Sequence, residues 1–128
     1  MAREVINPSN VFKPRGYSHA FKVGNTIYVA GQAAFDQQMK LVGKGDIVAQ
    51  TAQTYENLKR VLEAAGATMA DIVKVNYYVR NYDDLNKTGE LMVKYFPRPF
   101  PPSTAVEVTR LADPDQLIEV EVIAVVEK

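Results

Sequence analysis

The chain contains no cysteine and a single histidine, His19. The missing thiols exclude disulfide bonds, cysteine-ligated metals and cysteine nucleophiles, and they fit a protein of the cytoplasm. One histidine and no HExxH motif lead us to expect no metal site. A Ser-His-Asp triad would need His19 beside Ser18 or Ser103, and the Gly-x-Ser-x-Gly motif is lacking. We therefore interpret His19 as a hydrogen-bonded or surface residue.

The chain also lacks net charge and long apolar runs. Its 15 basic residues balance its 15 acidic residues, and no dense Lys/Arg cluster is present, so nucleic acid is not expected as a main partner. No stretch approaches the ~18 consecutive apolar residues of a membrane helix, and the first residues form no apolar signal segment. We expect a soluble cytoplasmic protein that does not bind membranes. Gly43-Lys44-Gly45 lacks the rest of a phosphate-binding loop.

Two helices are predicted within a single domain, 1–128. Helical spacing of apolar residues runs from Ile47 to Ala65, with Asp46 as its N-cap and Gly66 as the residue that ends it. A second helix is expected to start after Asn81, at Asp83 or Asp84, and to end before Pro97. Its stripe includes Gly89, which weakens a helix and therefore needs a packing reason.

Alternating segments predict five or six strands. They cover residues 4–6, 18–23, 26–32, 72–79, 103–108 and 117–125. The order β-β-β-α-β-α-β-β predicts an α+β layer, a mixed sheet with two helices on one face. Gly31, inside the third strand, indicates a bulge or a close approach by another backbone or a ligand. In the fourth strand, Val73, Val75, Tyr77 and Val79 are expected to share one face.

The last strand has two different faces. One is apolar throughout and suits packing under helices: Ile118, Val120, Val122, Ala124 and Val126. The other mixes aliphatic residues with Glu119 and Glu121. Two helices cover only one side of a sheet, and no segment remains to cover the mixed face. Self-association in a closed ring is the simplest remedy, so we expect a homo-oligomer.

Glu119 and Glu121 point to the same side of this strand, roughly 7 Å apart. At a subunit boundary a partly desolvated carboxylate there would be suited to exchanging a proton with water. The alternative is a pair of solvated charges, or ion pairs to Lys or Arg of a neighbouring subunit. Composition alone favours this alternative.

A proline-rich loop leads into the fifth strand. Pro99, Pro101 and Pro102 restrict the backbone and present Ser103 and Thr104 at the mouth of that strand. We predict that this strand and the last strand together form one wall of the functional site.

Taken together, several short motifs resemble the Rid (YjgF-type) family of enamine/imine deaminases from end to end. The matching stretches are Tyr17–Ala20, Gly24–Gln32, Gln50-Thr51, Glu56–Leu58, Val61–Gly66, Asp71–Lys74, Tyr95-Phe96, Pro102–Thr104 and Ile118–Val125. The resemblance implies a chorismate-mutase-like α+β fold and a homotrimer whose sheets form a central barrel. It also implies three small-molecule clefts between subunits.

The family's best-known members hydrolyse reactive 2-imino acids to 2-keto acids and ammonia without a cofactor. By resemblance, Glu119 is the catalytic glutamate that orients the attacking water. Tyr17 and the backbone around Gly31 would line the cleft, with Ala30 where a serine is often found.

The arginine with which the family binds the substrate carboxylate is missing. Ser103 stands in its position, followed by Thr104 and Ala105 in the implied substrate-binding stretch. Losing a bidentate arginine contact costs on the order of 2–4 kcal/mol, so we expect weak 2-imino acid activity. Arg98 and Arg15 are the candidates to compensate; the alternative is that both are ordinary surface arginines.

These expectations favour a cofactor-independent hydrolase that acts on small enamines or imines, with a carboxylic acid or imine as its ligand. The alternative is a non-catalytic ligand-binding or regulatory trimer. An endoribonuclease or translation-inhibitor role, a label that some family members carry, is less favoured because the charge is balanced.

Overall fold

A mixed β-sheet with helices packed on one side forms the core of the molecule, which we describe for residues 2–127 of a computed structural model. The elements are β1 (Arg3–Ile6), β2 (Ala20–Val23), β3 (Thr26–Gln32), α1 (Ile47–Ala64), β4 (Ile72–Val79), α2 (Gly89–Tyr95), β5 (Ser103–Glu107) and β6 (Ile118–Val125). The strand order in the six-stranded sheet is β1-β2-β3-β6-β4-β5. The pair β4–β5 is parallel, and the other neighbours are antiparallel. The predicted α+β class and element order are confirmed.

Helix α1 has the ends that its sequence predicts. The Asp46 carboxylate accepts a hydrogen bond from the Ala49 N–H at 3.1 Å, which satisfies one of the free donors of the first turn. At the other end Gly66 adopts φ +82°, and the Ala67 N–H reaches back to the Leu62 carbonyl at 2.8 Å. Within residues 2–127, no helix combines the length and apolar character needed to cross a bilayer.

The two faces of β6 are as predicted. Its apolar face is buried, with Ile118, Val120 and Ala124 fully inaccessible. The opposite side of the sheet, here called the open face, includes Tyr28, Lys74, Asn76, Tyr78, Val106, Glu121, Ile123 and Val125. Three of these, Tyr28, Val106 and Val125, are large apolar side chains that remain exposed.

The predicted face of β4 is wrong at one residue. Val73 is 44% exposed, whereas Ile72 is buried. The pairing of β4 with β6 shifts register between Ile72 and Lys74. The irregularity shifts the alternation of buried and exposed side chains along β4 by one residue. Beyond it, the buried side chains are those of Val75 and Tyr77.

The predicted second helix is in fact two segments. The Asn81 side chain accepts from the Asp83 N–H at 3.1 Å and starts a 3-10 segment, Tyr82–Lys87. The break comes at Thr88, whose φ of −105° is not helical. The packing reason expected for Gly89 is also wrong, since an added Cβ would meet nothing within 4 Å.

Within one protomer β5 and β6 are not neighbours, because β4 lies between the two strands; the wall that they were predicted to share stays a prediction. The chain leaves β4, passes through α2 and returns as β5 parallel to β4. A parallel pair requires such a crossover, and the helix supplies it.

Candidate active site

Glu119 lies directly over Gly31, at an irregular point of the sheet. Between the paired residues Val29 and Gln32, two residues of β3 face one residue of β6, which is a β-bulge. A Cβ added to Gly31 would lie 2.6 Å from the carboxyl carbon of Glu119. Any side chain at position 31 would therefore displace the carboxylate. The bulge predicted at Gly31 is confirmed.

The Glu119 carboxylate receives a hydrogen bond from one neutral donor. Nε2 of Gln116 donates to Oε1 of Glu119 at 3.1 Å. Gln116 precedes β6 and is 1% exposed. A buried amide therefore restricts the orientation of this carboxylate.

A cleft of about 410 Å³ opens beside the carboxylate. Its lining has an apolar part, which includes Phe12, Phe35 and Met39, and a polar part, which includes Lys13, Arg15, Tyr17 and Glu119. Clefts that hold small metabolites have this size and this mixture of apolar walls and few polar groups.

Tyr17 is a proton-bearing group in this cleft. Partial burial, and after it the negative charge of Glu119, raises the pKa of Tyr17 above its usual range. The phenol therefore stays protonated at neutral pH and is available as a hydrogen-bond donor.

Of the two arginines considered as compensating residues, only Arg15 lies in this cleft. Neither Arg15 nor its neighbour Lys13 forms an ion pair with a described residue. Arg98 lies in the proline-rich loop, where its guanidinium packs over the Phe100 ring at 5.0 Å. The cleft is thus lined by two cations, Lys13 and Arg15, and two carboxylates, Asp113 and Glu119.

Ser103 lies elsewhere in the protomer. It pairs with Val75, so it shares the helix-covered side of the sheet, whereas Glu119 belongs to the opposite side. Its surroundings are an apolar recess of about 240 Å³ that includes Met92 and Phe96. Strand spacings of ~4.8 Å and a rise of ~3.3 Å per residue put the Cα atoms of Ser103 and Glu119 about 14 Å apart.

The other predicted binding residues also lie outside the cleft. Thr104 is on the open face, where its hydroxyl accepts from Lys74 Nζ at 2.9 Å. Ala105 packs against the core from the edge strand. Ala30 lines a separate depression on the open face, beside Glu121. One protomer therefore brings together Tyr17, Gly31, Glu119 and Arg15, but not the β5 residues.

Glu121 differs from Glu119 in its surroundings. Its Oε1 accepts hydrogen bonds from Asn76 at 3.1 Å and from the Tyr78 hydroxyl at 2.6 Å. The bond to Glu121 is the main cause that raises the pKa of Tyr78. Both donors come from the neighbouring strand β4, so Glu121 joins two strands of the open face instead of facing the cleft.

His19 is a buried structural residue, as the sequence indicates. It is inaccessible to solvent; its Nε2–H donates to the Phe12 carbonyl at 2.6 Å, and its Nδ1 accepts from Gln32 Nε2 at 3.1 Å. These partners require the neutral imidazole. Burial lowers the pKa of His19, and the bond to Phe12 opposes this only in part.

Three buried amides that support the cleft were not singled out from the sequence. On α1, Asn57 donates to the carbonyls of Ala33 and Phe35 at 2.8 and 2.9 Å. Gln50 of the same helix and Gln116 hold the chain that leads into β6. A signal was present for the α1 pair, because polar residues on the buried stripe of a helix need partners.

Comparison with known proteins agrees with this fold and cleft. Residues 10–126 match the family model described as Endoribonuclease L-PSP. A RutC family protein of Pyrococcus abyssi is 47% identical over 97% of this chain and 98% of its own length. A protein of Dermatophagoides farinae named 2-iminobutanoate/2-iminopropanoate deaminase is 38% identical over 98% of both chains. The crystal structure of RidA from an Antarctic Psychrobacter superposes with a TM-score of 0.89 at 34% identity, covering 96% of this chain and 99% of that one.

Fold and cleft thus define this chain as a small α+β protein in which a carboxylate of the last strand, Glu119, lies over a glycine of the third, Gly31. Full-length matches in both sequence and structure then decide the family. The chain belongs to the Rid (YjgF-type) family.

The state of His19 predicts how stability depends on pH. The folded state holds the imidazole neutral, so the unfolded chain takes up a proton first as the pH falls below ~6.5. The contribution of the neutral imidazole to the free energy of unfolding is complete above that pH. It decreases as the pH falls toward the lower pKa that His19 has in the folded state, by at most ~1.4 kcal/mol per pH unit. Urea unfolding of the wild type and His19→Asn from pH 7.5 to 5 tests this. The wild type should lose stability more steeply, and parallel curves would contradict the prediction.

Proposed function

We propose that the protein is a cofactor-independent hydrolase that converts small enamines or imines into carbonyl compounds and ammonia. The observation that carries this proposal is the Glu119 carboxylate, held over Gly31 beside a protonated Tyr17 in a cleft of metabolite size. The near full-length similarity to a protein named 2-iminobutanoate/2-iminopropanoate deaminase supports it.

The chemistry needs one base and one water molecule. Glu119 takes a proton from water as the water oxygen bonds to the imine carbon, the C=N electron pair moves to nitrogen, and Glu119 gives that proton to nitrogen. In the resulting carbinolamine, Glu119 takes the hydroxyl proton and passes it to nitrogen; the oxygen electron pair forms the C=O bond as the C–N bond breaks and ammonia leaves. Tyr17 donates a hydrogen bond to the substrate. An enamine enters the same path after it tautomerises to the imine, in which one proton is added at carbon and one is lost from nitrogen.

Recognition of the substrate differs from that in arginine-containing relatives. Ser103 offers one uncharged hydrogen bond where a guanidinium would offer two charge-assisted ones. Within the protomer, Lys13 and Arg15 are the cations of the cleft that contains Glu119, and only the guanidinium of Arg15 can bind a carboxylate through two parallel hydrogen bonds. We therefore assign carboxylate attraction to Arg15 in preference to Arg98, and we expect weaker selection for 2-imino acids.

The site is completed by a second copy of the chain in a homotrimer. Two observations support this assembly: exposed Tyr28, Val106 and Val125 on the uncovered open face, and the separation of Ser103 from Glu119 within one chain. Burying the open faces against one another removes apolar surface from water. It also allows β5 of one subunit to approach the cleft of another.

Ribonuclease chemistry is a weaker alternative. Its usual general acid and base is histidine, but the one histidine of this chain is inaccessible and bonded at both ring nitrogens. Ligand binding without catalysis remains the main competitor, and the variants below distinguish it.

Assembly predicts the mass in solution. Light scattering after size exclusion should return about three times the 14.3 kDa of one chain, because the open face is stable only when covered. A stable monomer at micromolar concentration would refute the shared cleft.

Catalysis by Glu119 predicts a loss of turnover in Glu119→Gln. The amide accepts no proton from water, so ammonia release from an enzymatically generated imine should fall by about 100-fold or more. Glu121→Gln is the matched control, since it alters a carboxylate on the same side of β6 but keeps an acceptor for Asn76 and Tyr78. Equal rates in wild type and Glu119→Gln would disprove the mechanism. Ligand binding without any wild-type turnover would establish the non-catalytic alternative.

The position of Ser103 predicts a gain of activity. Ser103→Arg should raise kcat/KM for 2-imino acids by about 30- to 1000-fold, the equivalent of 2–4 kcal/mol. Ser103→Gln controls for side-chain length without charge. If the arginine variant behaves like the glutamine variant, Ser103 does not contact the substrate carboxylate.

A further inference from the structure

Gln116 is a buried amide whose three hydrogen bonds fix its orientation. Nε2 donates to Glu119 Oε1 at 3.1 Å and to the Ile118 carbonyl at 3.3 Å. Oε1 accepts from the Asp113 N–H at 3.4 Å. Rotating the amide by half a turn would place its oxygen against two acceptors and its NH₂ group against a donor. Only a donor therefore faces the carboxylate.

The backbone on either side of Gln116 is held by the central helix. Gln50 of α1, itself inaccessible, donates to the Asp115 carbonyl at 2.9 Å and accepts from the Leu117 N–H at 2.8 Å. These two residues flank Gln116 in sequence. The amide is thus attached to the most regular element of the fold, and its position does not depend on the flexibility of an exposed turn.

This arrangement makes the two oxygens of Glu119 unequal. Oε1 is occupied by Gln116, whereas Oε2 lies over the bare Cα of Gly31, which lines the cleft. The amide bonded to one oxygen restricts the rotation of the carboxylate. The other oxygen remains free to take up a proton.

We propose that Gln116 is a positioning residue, which orients Glu119 so that Oε2 over Gly31 is the oxygen that accepts the proton from water. This role rests on the hydrolase function proposed above. Gln116 is a lining residue of the cleft, and the role proposed for it is exercised through its hydrogen bond to Glu119. The contact needs an amide three residues before the glutamate and a backbone held by Gln50.

The test compares Gln116→Met with the wild type and with Glu119→Gln in the ammonia-release assay. Methionine keeps the length of the side chain but donates no hydrogen bond. We expect kcat to fall about 10- to 100-fold, the size of one hydrogen bond to a charged group, with KM changed less than threefold. The acid limb of the kcat/KM profile should move to higher pH, because a hydrogen bond to the carboxylate is lost.

Arg80→Met is the matched control. Arg80 donates to the Pro114 carbonyl at 3.2 Å and so supports the same turn without touching Glu119. Its loss should leave the acid limb in place. Solution mass and unfolding midpoint are measured for every variant. If Gln116→Met does not fold, Gln116→Glu carries the test, because it keeps the shape and the acceptor for Asp113; there the acid limb should move up further, as two carboxyl groups then share the site.

The outcomes separate the two proposals. In one outcome Glu119→Gln loses turnover, while the folded Gln116 variant keeps kcat within about twofold of the wild type and its acid limb does not move. Gln116 then has no positioning role, and the hydrolase function stands. A limb that moves equally in Arg80→Met would show general loosening of the turn and would also overturn the role. If Glu119→Gln is fully active, the proposed function itself fails.

Discussion

Glu119 can lie across the sheet only because residue 31 has no side chain. The carboxyl carbon of Glu119 lies 2.6 Å from where a Cβ at position 31 would be. The bulge in β3 supplies the extra residue that makes this approach possible. The place of this carboxylate contributes to the charge of the cleft, and its negative charge adds to the larger effect of burial in raising the pKa of Tyr17.

Side chains of helix α1 hold both walls of the cleft in place. Asn57 holds the carbonyls of Ala33 and Phe35 on one side, and Gln50 holds the chain around Gln116 on the other. A buried side-chain amide of this kind costs free energy when it has no hydrogen-bond partner, and the hydrogen bonds that it does form are directional. They therefore fix two loops relative to one helix. Buried side-chain hydrogen bonds have the same effect at β3, where His19 and Gln32 join the strand to the N-terminal loop.

The sheet has two sides with different tasks. One side is an ordinary core under α1; the open face keeps Tyr28 and Val125 exposed while Glu121, Asn76 and Tyr78 form a hydrogen-bonded group across two strands. A face that is partly apolar and internally paired is suited to contact another surface of the same kind. Ser103 and Glu119 lie on opposite sides of the sheet in one protomer, which supports the proposal that a second copy of the chain completes the site.

The local sequence was sufficient to predict the features that depend only on interactions between neighbouring residues. The caps of α1 at Asp46 and Gly66, the alternation of β6 and the bulge at Gly31 were all predicted, because hydrogen bonding at helix ends, two-residue periodicity and the absence of a Cβ are properties of neighbouring residues.

The sequence failed at Val73 and Thr88, where an irregularity in pairing and a non-helical φ interrupt an apparently continuous pattern. It also gave no strand order, because no local signal shows that β4 lies between β5 and β6. Only the tertiary structure decided that Arg15, and not Arg98, shares the cleft with Glu119, and that Gln116 holds the carboxylate. Those relations depend on which distant segments the fold brings within hydrogen-bonding distance, and residue spacing along the chain carries no information about that.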